Sequence, residues 1–316
     1  METLYISQEN CKIHREGEHL RITQSDTMLS TIPLSDVKTI IIFDSINLTF
    51  PALDLLLSKG IDVIYQSKSG KIKARVLSSK ASGATVRLAQ YAAFNCLDRR
   101  LEIAKAIVSA KIHNQMSNVR KFQYNNTLHD YDGHLTAING FRKQLNGADN
   151  ISEVMGIEGV SAKYYWDCFR HSLKKPVFTR REYRPSPDYV NALLNLSYSF
   201  LCNEITTCLI AKRLDIEIGF LHSMHNGRNS LALDVMEEFR TPCVDGWVRS
   251  VLNKNQLKSE HFYNQNNDWR LTDNGFRKFC TLYHDRIPLW RTKFRNQASK
   301  LKTALVEGVA YEPYYE

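Results

Sequence analysis

Two separate stretches of the chain place an acid or a histidine in a setting that suits metal chemistry. The stretch MGIEGVSAKYYW, residues 155–166, carries Glu158 between two glycines inside a segment of helical character. Glycine costs roughly 1 kcal/mol relative to alanine in a helix interior, so two glycines beside one carboxylate indicate a special local requirement. The stretch GFLHSMHNGRNS, residues 219–230, carries His222 after an apolar pair and before a turn rich in glycine and asparagine.

A third stretch, LALDVMEEFR at residues 231–240, concentrates acids on a predicted helix. Asp234 lies three residues before Glu237 and four before Glu238, so each pair shares a helical face. Like charges at these spacings oppose a helix by roughly 0.2–0.5 kcal/mol per pair. A metal cation, an arginine such as Arg240, or open solvent must therefore offset the repulsion.

Each of these stretches also has a structural explanation when it is taken alone. A helical glutamate is commonly solvated, a histidine beside apolar residues commonly lies in the core, and an acidic run commonly forms a wet helix face. Together they supply carboxylates and an imidazole without a thiolate, which is the donor set that Mn²⁺ or Mg²⁺ accepts. His225 is a weaker candidate than His222 because its surroundings, MHNGR, are typical of an exposed loop.

The charge balance favours an anionic partner. The chain has 42 lysines and arginines against 33 acids, a net charge of +9, which suits a protein that binds phosphate backbones. Two basic runs, residues 170–184 and 290–302, also carry aromatic residues such as Phe178 and Tyr183 that can stack on unpaired bases. The predicted DNA contacts are Arg170, Lys174, Lys175, Arg180, Arg181, Arg184, Arg291, Lys293 and Arg295.

The elements that must position these residues change in period along the chain. The first 80 residues are rich in short β-branched runs, with turns expected at Gly17 and at Ser69–Gly70, and one helix in TFPALDLLLSKG. From Val86 onward apolar residues recur at three- and four-residue intervals. Helical patterns cover residues 86–123, 187–213, 228–251, 271–284 and 290–306.

This change of period predicts an α+β protein with two domains. A small mixed β domain occupies residues 1–80, a polar linker residues 81–88, and an all-helical catalytic domain residues 89–316. The seven cysteines are scattered without a Cys-x-x-Cys motif, which favours free thiols in a reducing compartment. Because the sequence shows neither a signal peptide nor a run of about 20 apolar residues, we expect a cytoplasmic protein without a membrane segment.

Across almost its whole length the sequence resembles the metal-dependent integrase and endonuclease of the CRISPR adaptation complex. The conserved glutamate helix of that family is matched by GIEGVSAKYYW, and its histidine-bearing helix and turn by LNLSYSFLCNEITTCLIAKRLDIEIGFLH. The acidic helix that completes the family's site is matched by NSLALDVMEEFR, and its domain junction by GKIKARVLSSKASGATVRLAQ. These stretches occur in the family's order.

The resemblance implies roles for individual residues. Glu158, His222 and Glu237 take the metal-ligand positions, and Asp234 takes a neighbouring acidic position that supports the metal or the DNA. Glu238 remains an alternative to Glu237 as the functional acid. We expect the glycines around Glu158 to let another helix or a DNA backbone approach the ligand closely.

The resemblance also implies an assembly and a reaction. The β domain mediates homodimer formation, and two dimers bridge a small ferredoxin-like CRISPR-associated partner. The complex holds a short DNA duplex with frayed or single-stranded 3′ ends and inserts it into the CRISPR array. The 3′-hydroxyl attacks a phosphodiester of the array with the help of Mg²⁺ or Mn²⁺, and water in its place gives endonuclease activity.

Two other functions fit the same residues. A general structure-selective nuclease for branched DNA would need the same metal chemistry without integration. A non-catalytic, basic DNA-binding scaffold would pair its acids with arginines and would be indifferent to metal. The aromatic and acidic C-terminal stretch YEPYYE has no role that its residues alone decide.

Overall fold

The computed structural model describes residues 3–6, 10–25, 27–37, 39–43, 46–67, 72–78, 83–125, 129–175 and 177–316. The chain divides into two compact units. The first unit comprises Met1–Arg87 with Thr207–Leu214, and the second comprises Leu88–Thr206 with Asp215–Glu316. The linker at residues 81–88 stays a prediction, since residues 81 and 82 lie outside the described ranges.

The first unit is built mainly from short strands, as the period-2 patterns predict. Its elements are β1 (Thr3–Ile6), β2 (Cys11–Glu16), β3 (His19–Gln24), β4 (Thr27–Pro33), β5 (Thr39–Phe43), β6 (Asn47–Leu48), α1 (Phe50–Ser58), β7 (Asp62–Gln66) and β8 (Ile72–Val76). One sheet has the order β1–β5–β7–β8, with β1, β5 and β7 parallel and β8 antiparallel to β7. The other sheet has the order β4–β3–β2–β6.

Local sequence signals explain this unit well. Gly17 turns the β2–β3 hairpin with a φ of +59°, a backbone conformation that costs glycine little. The predicted helix α1 has a proline in its first turn, where no backbone N–H is required. Ile13, Leu20 and Ile40 are fully buried in a core that α1 completes with Leu56. The expected turn at Ser69–Gly70 lies outside the described residues.

Helices account for most of the remaining chain and confirm the helical period. They are α2 (Ala84–Asn95), α3 (Leu97–Asn125), α4 (Asp132–Gln144), α5 (Ile151–Ser172), α6 (Tyr189–Ala211), α7 (Ser230–Phe239), α8 (Gly246–Asn253), α9 (Asp273–Arg286) and α10 (Pro288–Glu307). The long helix α3 packs against α4, α5 and α7. It therefore brings segments together that are distant in sequence.

The second unit is mostly helical rather than all-helical, which corrects the sequence-based prediction. The strands β9 (Phe262–Gln265) and β10 (Asp268–Leu271) form an antiparallel hairpin. Asn266 and Asn267 connect them with φ values of 53° and 62°. Two positive φ values suit a tight hairpin turn of the I′ type, and asparagine tolerates that conformation. The α+β fold class itself is confirmed.

The structure also bears on the predictions about the cysteines and about membrane-spanning segments. All seven cysteines are free thiols, so no disulfide framework is present. Among the described residues, no helix combines the length and apolar character that crossing a bilayer requires.

Candidate functional site

Helices α3, α5 and α7 converge on one cluster of charged side chains in the second unit. Lys111 comes from α3, Glu158 from α5 and Glu237 from α7. The Lys111 ammonium contacts the Glu158 carboxylate, and its Nζ lies 2.6 Å from Glu237 Oε2. The side chains of Lys111, Glu158 and Glu237 are 11%, 24% and 5% exposed. Two predicted ligands thus share one buried cation.

A second cation holds Glu237 from its other side. Arg240 Nε lies 2.9 Å from Glu237 Oε1, and the guanidinium also lies over the Tyr198 ring, 4.6 Å from its centroid. Arg240 opens a π-helical segment, Arg240–Asp245, that directly follows α7. Burial alone would raise the pKa of Glu237, but the charges of Arg240, Lys111 and His222 lower it to about 2. Glu237 is therefore a carboxylate at neutral pH.

Asp234 positions the histidine of the site. It is fully buried, and its carboxylate accepts the backbone N–H groups of Phe220, Leu221 and His222 at 2.5, 2.9 and 2.9 Å. His222 Nδ1 lies 2.7 Å from Asp234 Oδ1. Since a carboxylate only accepts hydrogen bonds, this contact places the imidazole proton on Nδ1 and leaves Nε2 free as a ligand atom.

The histidine loop can wrap around Asp234 only because residue 219 is glycine. A Cβ atom on Gly219 would lie 2.8 Å from Asp234 Oδ2 and 2.9 Å from the carbonyl carbon of Ser230. Both distances are shorter than ordinary contacts allow. The sequence stretch that carries His222 is thus shaped by the buried carboxylate twelve residues later.

Glu238 faces a different part of the molecule. It is fully buried and accepts hydrogen bonds from the Tyr311 hydroxyl at 2.6 Å and the Tyr314 N–H at 2.7 Å. Desolvation raises the pKa of Glu238 to about 8, although both hydrogen bonds act to lower it. The geometry therefore separates Glu238 from the Lys111 cluster. The C-terminal segment YEPYYE packs within this chain, where Tyr314 stacks on Phe239.

The three acids of α7 coexist because each has its own partners. Asp234 binds the histidine loop, Glu237 binds Lys111 and Arg240, and Glu238 binds the C-terminal segment. All three are buried, so the alternative of a wet helix face is wrong, whereas pairing with Arg240 is present.

The donor set is compatible with a divalent cation. Within the described residues, no three His, Cys, Asp or Glu side chains are already grouped around a point that a metal ion could occupy. Glu158 and Glu237 nevertheless face each other across one position, which the Lys111 ammonium occupies. Both carboxylates direct their negative charge toward this position. Two carboxylates and an imidazole nitrogen are donors that Mn²⁺ accepts and Mg²⁺ tolerates. Glu158 and Glu237, which face one shared cation, have the donor chemistry of such a site, and His222 adds a nitrogen donor of the kind Mn²⁺ accepts.

The glycines beside Glu158 lie next to open space. A Cβ atom added to Gly156 or Gly159 would meet nothing within 4 Å. The expectation that another helix of this chain packs there is therefore wrong. Approach of a DNA backbone stays a prediction, and the exposed side chains of Met155 and Val160 lie on the same helix.

The first basic run separates into exposed and engaged residues. Lys174, Lys175 and Arg184 are exposed, and Arg180 is 79% exposed beside Glu182. Tyr183 is 65% exposed and can stack on a base. Arg170, which is also exposed, contacts Asp167 at 2.6 Å.

Two other residues of this run serve the interior instead. Arg181 donates to Asn191 and Asn195 at 3.1 and 2.6 Å, and desolvation lowers its pKa. Phe178 is 2% exposed and packs against Trp166 and Phe169, so it cannot stack on a base. The structure removes the basis for a phosphate contact by Arg181.

The second basic run is largely tied to its own surroundings. Arg291 forms a two-point ion pair with Glu204 at 3.0 and 2.7 Å. Lys293 is exposed, donates to the Tyr314 hydroxyl at 2.9 Å and lies over the Trp290 ring. Arg295 is half-buried and donates to Thr292 at 3.0 Å. Lys293 is the most accessible cation of the three.

Sequence reasoning missed Lys111. A signal was present, because Lys111 follows Ile107 and Val108 on α3 at the spacing of that helix's buried face. A lysine at a core position is rarely fully buried without a partner. The pattern therefore pointed to a buried acid but did not say which one.

Comparisons with known proteins identify the family of the chain. The family model described as "CRISPR associated protein Cas1" matches residues 4–285. The chain is 27% identical over 314 residues to "CRISPR-associated endonuclease Cas1 4" of Methanospirillum hungatei JF-1, covering 98% of this chain and 87% of that protein. A solved "Casposase bound to integration product" is 26% identical with a TM-score of 0.79, over 100% of both chains. A chain of a "Partial Cas6-RT-Cas1--Cas2 complex" shares the fold, with a TM-score of 0.84, 20% identity, and 100% and 99% coverage.

Proposed function

Because the chain belongs to the family of CRISPR-associated protein Cas1, we propose that its site inserts short foreign DNA fragments into the CRISPR array by divalent-metal-dependent strand transfer. The protein is an endonuclease and integrase of CRISPR defence. We further propose that the reaction depends on a divalent metal, that it is a transesterification, and that the residues named below are the metal ligands.

One observation carries these additions. Glu158 and Glu237, which come from different helices, both direct their carboxylates at the Lys111 ammonium, and Asp234, one turn before Glu237 on α7, holds His222. Buried carboxylates repel each other unless a cation lies between them. Convergence of this kind is expected of a cation site and is not needed by a scaffold that only binds DNA.

Each residue then has a defined task. Glu158, Glu237 and Nε2 of His222 would hold the ion, and Asp234 keeps the imidazole oriented through Nδ1. Mg²⁺ or Mn²⁺ bound there would supply Lewis acidity toward the phosphodiester and the attacking hydroxyl. The 3′-hydroxyl of the fragment forms the new bond to phosphorus, and the 3′ oxygen of the cut array strand leaves. Attack by water gives hydrolysis.

Exposed cations support the DNA part of the proposal. Arg170, Lys174, Lys175, Arg180, Arg184 and Lys293 would contact phosphates in a salt-dependent, mostly sequence-independent manner. The exposed Tyr183 ring would stack on a base of a frayed end.

The assembly is proposed from the family. We expect a cytoplasmic homodimer and a complex of two dimers with the small ferredoxin-like CRISPR-associated partner. The fold neighbour described as a Cas6-RT-Cas1--Cas2 complex is consistent with assembly of this kind.

An integration assay with matched variants tests the proposal. A short duplex with free 3′-hydroxyl ends is mixed with a supercoiled plasmid that carries a CRISPR array, in Mn²⁺ or in EDTA. We expect joined products only with Mn²⁺, and their loss in Glu158→Gln and His222→Ala. Glu153→Gln on the same helix and His225→Ala in the same loop serve as controls and should retain joining.

The alternatives give different results in this assay. Cut strands without joined products would favour a general structure-selective nuclease. Joined products that persist in EDTA and in Glu158→Gln would contradict the ligand assignment. DNA binding by the wild type without any cut or joined product would favour a scaffold. Filter binding of the same duplex, measured in parallel, should show that both variants still bind DNA.

A further inference from the structure

Lys111 is a buried charge of the site to which the proposed reaction gives no role. Its ammonium lies between Glu158 and Glu237, and its side chain is only 11% exposed. A lysine loses hydration on burial and is stable there only with counter-charges. Both of its acidic partners are residues that we assign to the ion.

The Lys111 ammonium lies between Glu158 and Glu237, where a divalent cation shared by these two carboxylates would have to lie. Glu237 already contacts Arg240 at 2.9 Å and Lys111 at 2.6 Å. A divalent ion bound by Glu158 and Glu237 would stand within a few ångströms of the ammonium in a low-dielectric interior, where like charges repel strongly. The ion and the ammonium therefore compete for the same two carboxylates.

We propose that Lys111 is an internal stand-in for the metal: its ammonium holds Glu158 and Glu237 together in the metal-free protein and withdraws when a divalent cation binds. This inference rests on the proposed metal site. Lysine suits the task because its long, flexible side chain can move a compact charge away without moving α3. Lys111 is in this sense a positioning residue that sets metal affinity.

The exchange has two measurable consequences of opposite sign. Without Lys111, the two carboxylates of the metal-free protein lose their shared counter-charge, so stability in EDTA should fall. The divalent ion no longer displaces an ammonium, so its affinity should rise. A residue with a merely structural role would lower stability without tightening metal binding.

The test compares Lys111→Met with Lys105→Met in the full-length protein. Methionine is unbranched like lysine, one atom shorter and uncharged. Lys105 lies on the same helix α3 with its Nζ 3.3 Å from the Asn146 carbonyl oxygen. Isothermal titration with Mn²⁺ should give a dissociation constant about tenfold lower for Lys111→Met than for wild type. Its melting temperature in EDTA should be lower, and Lys105→Met should match wild type in the titration.

A double variant guards against loss of folding. Lys111→Met with Glu158→Gln removes one of the two facing carboxylates, so it should recover the melting temperature in EDTA that the single variant loses. Failure of the double variant to recover stability would overturn the stand-in role, as would an Mn²⁺ dissociation constant for Lys111→Met equal to or higher than that of wild type. Absence of Mn²⁺ binding by wild type and variant alike would instead overturn the metal site itself.

Discussion

The two sides of α7 offer a comparison between neighbouring glutamates. Glu237 faces Lys111 and Arg240, and Glu238 faces Tyr311 and the backbone of the C-terminal segment. Both side chains are buried, yet the pKa of Glu237 is lowered to about 2 and that of Glu238 is raised to about 8. Both carboxylates are desolvated, but Glu237 forms ion pairs with Lys111 and Arg240, whereas Glu238 accepts hydrogen bonds from uncharged groups.

This difference teaches that buried carboxylates of one helix can have opposite ionisation states. The side of α7 that faces Lys111 and Arg240 keeps Glu237 ionised. On the other side, Glu238 accepts hydrogen bonds from a hydroxyl and an N–H and is predominantly neutral at pH 7, since desolvation outweighs these bonds and the charge of Lys300. The ionisation of a buried acid is therefore set by its partners, not by its position in an acidic run.

The largest expected difference is in strand joining, between the Glu237→Gln and Glu238→Gln variants. Glu237→Gln removes a charged ligand, so we expect strand joining in the Mn²⁺ integration assay to fall at least about a hundredfold, beyond what loss of an outer-shell partner costs. Glu238→Gln resembles the neutral carboxyl already present, so joining should stay near the wild-type rate.

Loss of joining in Glu238→Gln would contradict this assignment of roles to the two glutamates. If Glu238→Gln lost joining while its melting temperature stayed at the wild-type value, Glu238 would be the functional acid that the family resemblance left as an alternative. Circular dichroism melts of both variants separate this outcome from simple unfolding.

Asp234→Asn should give a smaller loss because Asp234 acts through His222. An amide nitrogen in place of Oδ1 or Oδ2 cannot accept the loop N–H groups, and the imidazole loses the partner that orients it. We expect Mn²⁺ affinity, measured by titration calorimetry, to fall about 10- to 100-fold. Asp215→Asn is the control, because Asp215 lies in the interhelical segment that carries His222 but accepts hydrogen bonds from the Tyr91 hydroxyl and the Glu217 N–H. Unchanged Mn²⁺ affinity in Asp234→Asn would exclude the positioning role.

Local signals made much of the fold and part of the site predictable. The change from period 2 to helical spacing gave the strands of the first unit and the long helices, because each element buries one face of its own sequence. The glutamate helix, the histidine turn and the acidic helix were visible as short stretches for the same reason. The hairpin at Phe262–Leu271 escaped because its turn is Asn266–Asn267 and lacks the usual glycine.

What the sequence did not reveal depends on contacts between distant segments. Lys111 is one of many lysines until α3 packs between α5 and α7 and gives it two acids. Arg180 and Arg181 are adjacent and look equivalent, yet Arg180 is exposed and Arg181 is held by asparagines of α6. Periodicity assigns a residue to a face, whereas only the folded neighbours determine whether its charge is paired.

Glu237 and Glu238, on the two sides of α7, should make opposite contributions to the dependence of stability on pH. The folded pKa of Glu238, about 8, lies above its unfolded value of about 4.3. The folded state therefore binds more protons between these values, and the free energy of unfolding falls as pH rises through this window, by at most about 1.4 kcal/mol per pH unit. Glu237, with its lowered pKa, contributes stability above about pH 4.3 that is lost toward pH 2.

Urea denaturation of wild type and Glu238→Gln at pH 5, 6, 7 and 8 isolates the contribution of Glu238. Glutamine does not titrate, so the stability of the variant relative to wild type should rise with pH across this range and level off above pH 8. Tyr311→Phe removes the hydroxyl that lowers the pKa of Glu238, and it should move the levelling point to higher pH. A difference between wild type and Glu238→Gln that stayed constant with pH would mean that Glu238 is ionised like Glu237, and the contrast between the two sides of α7 would then rest on geometry alone.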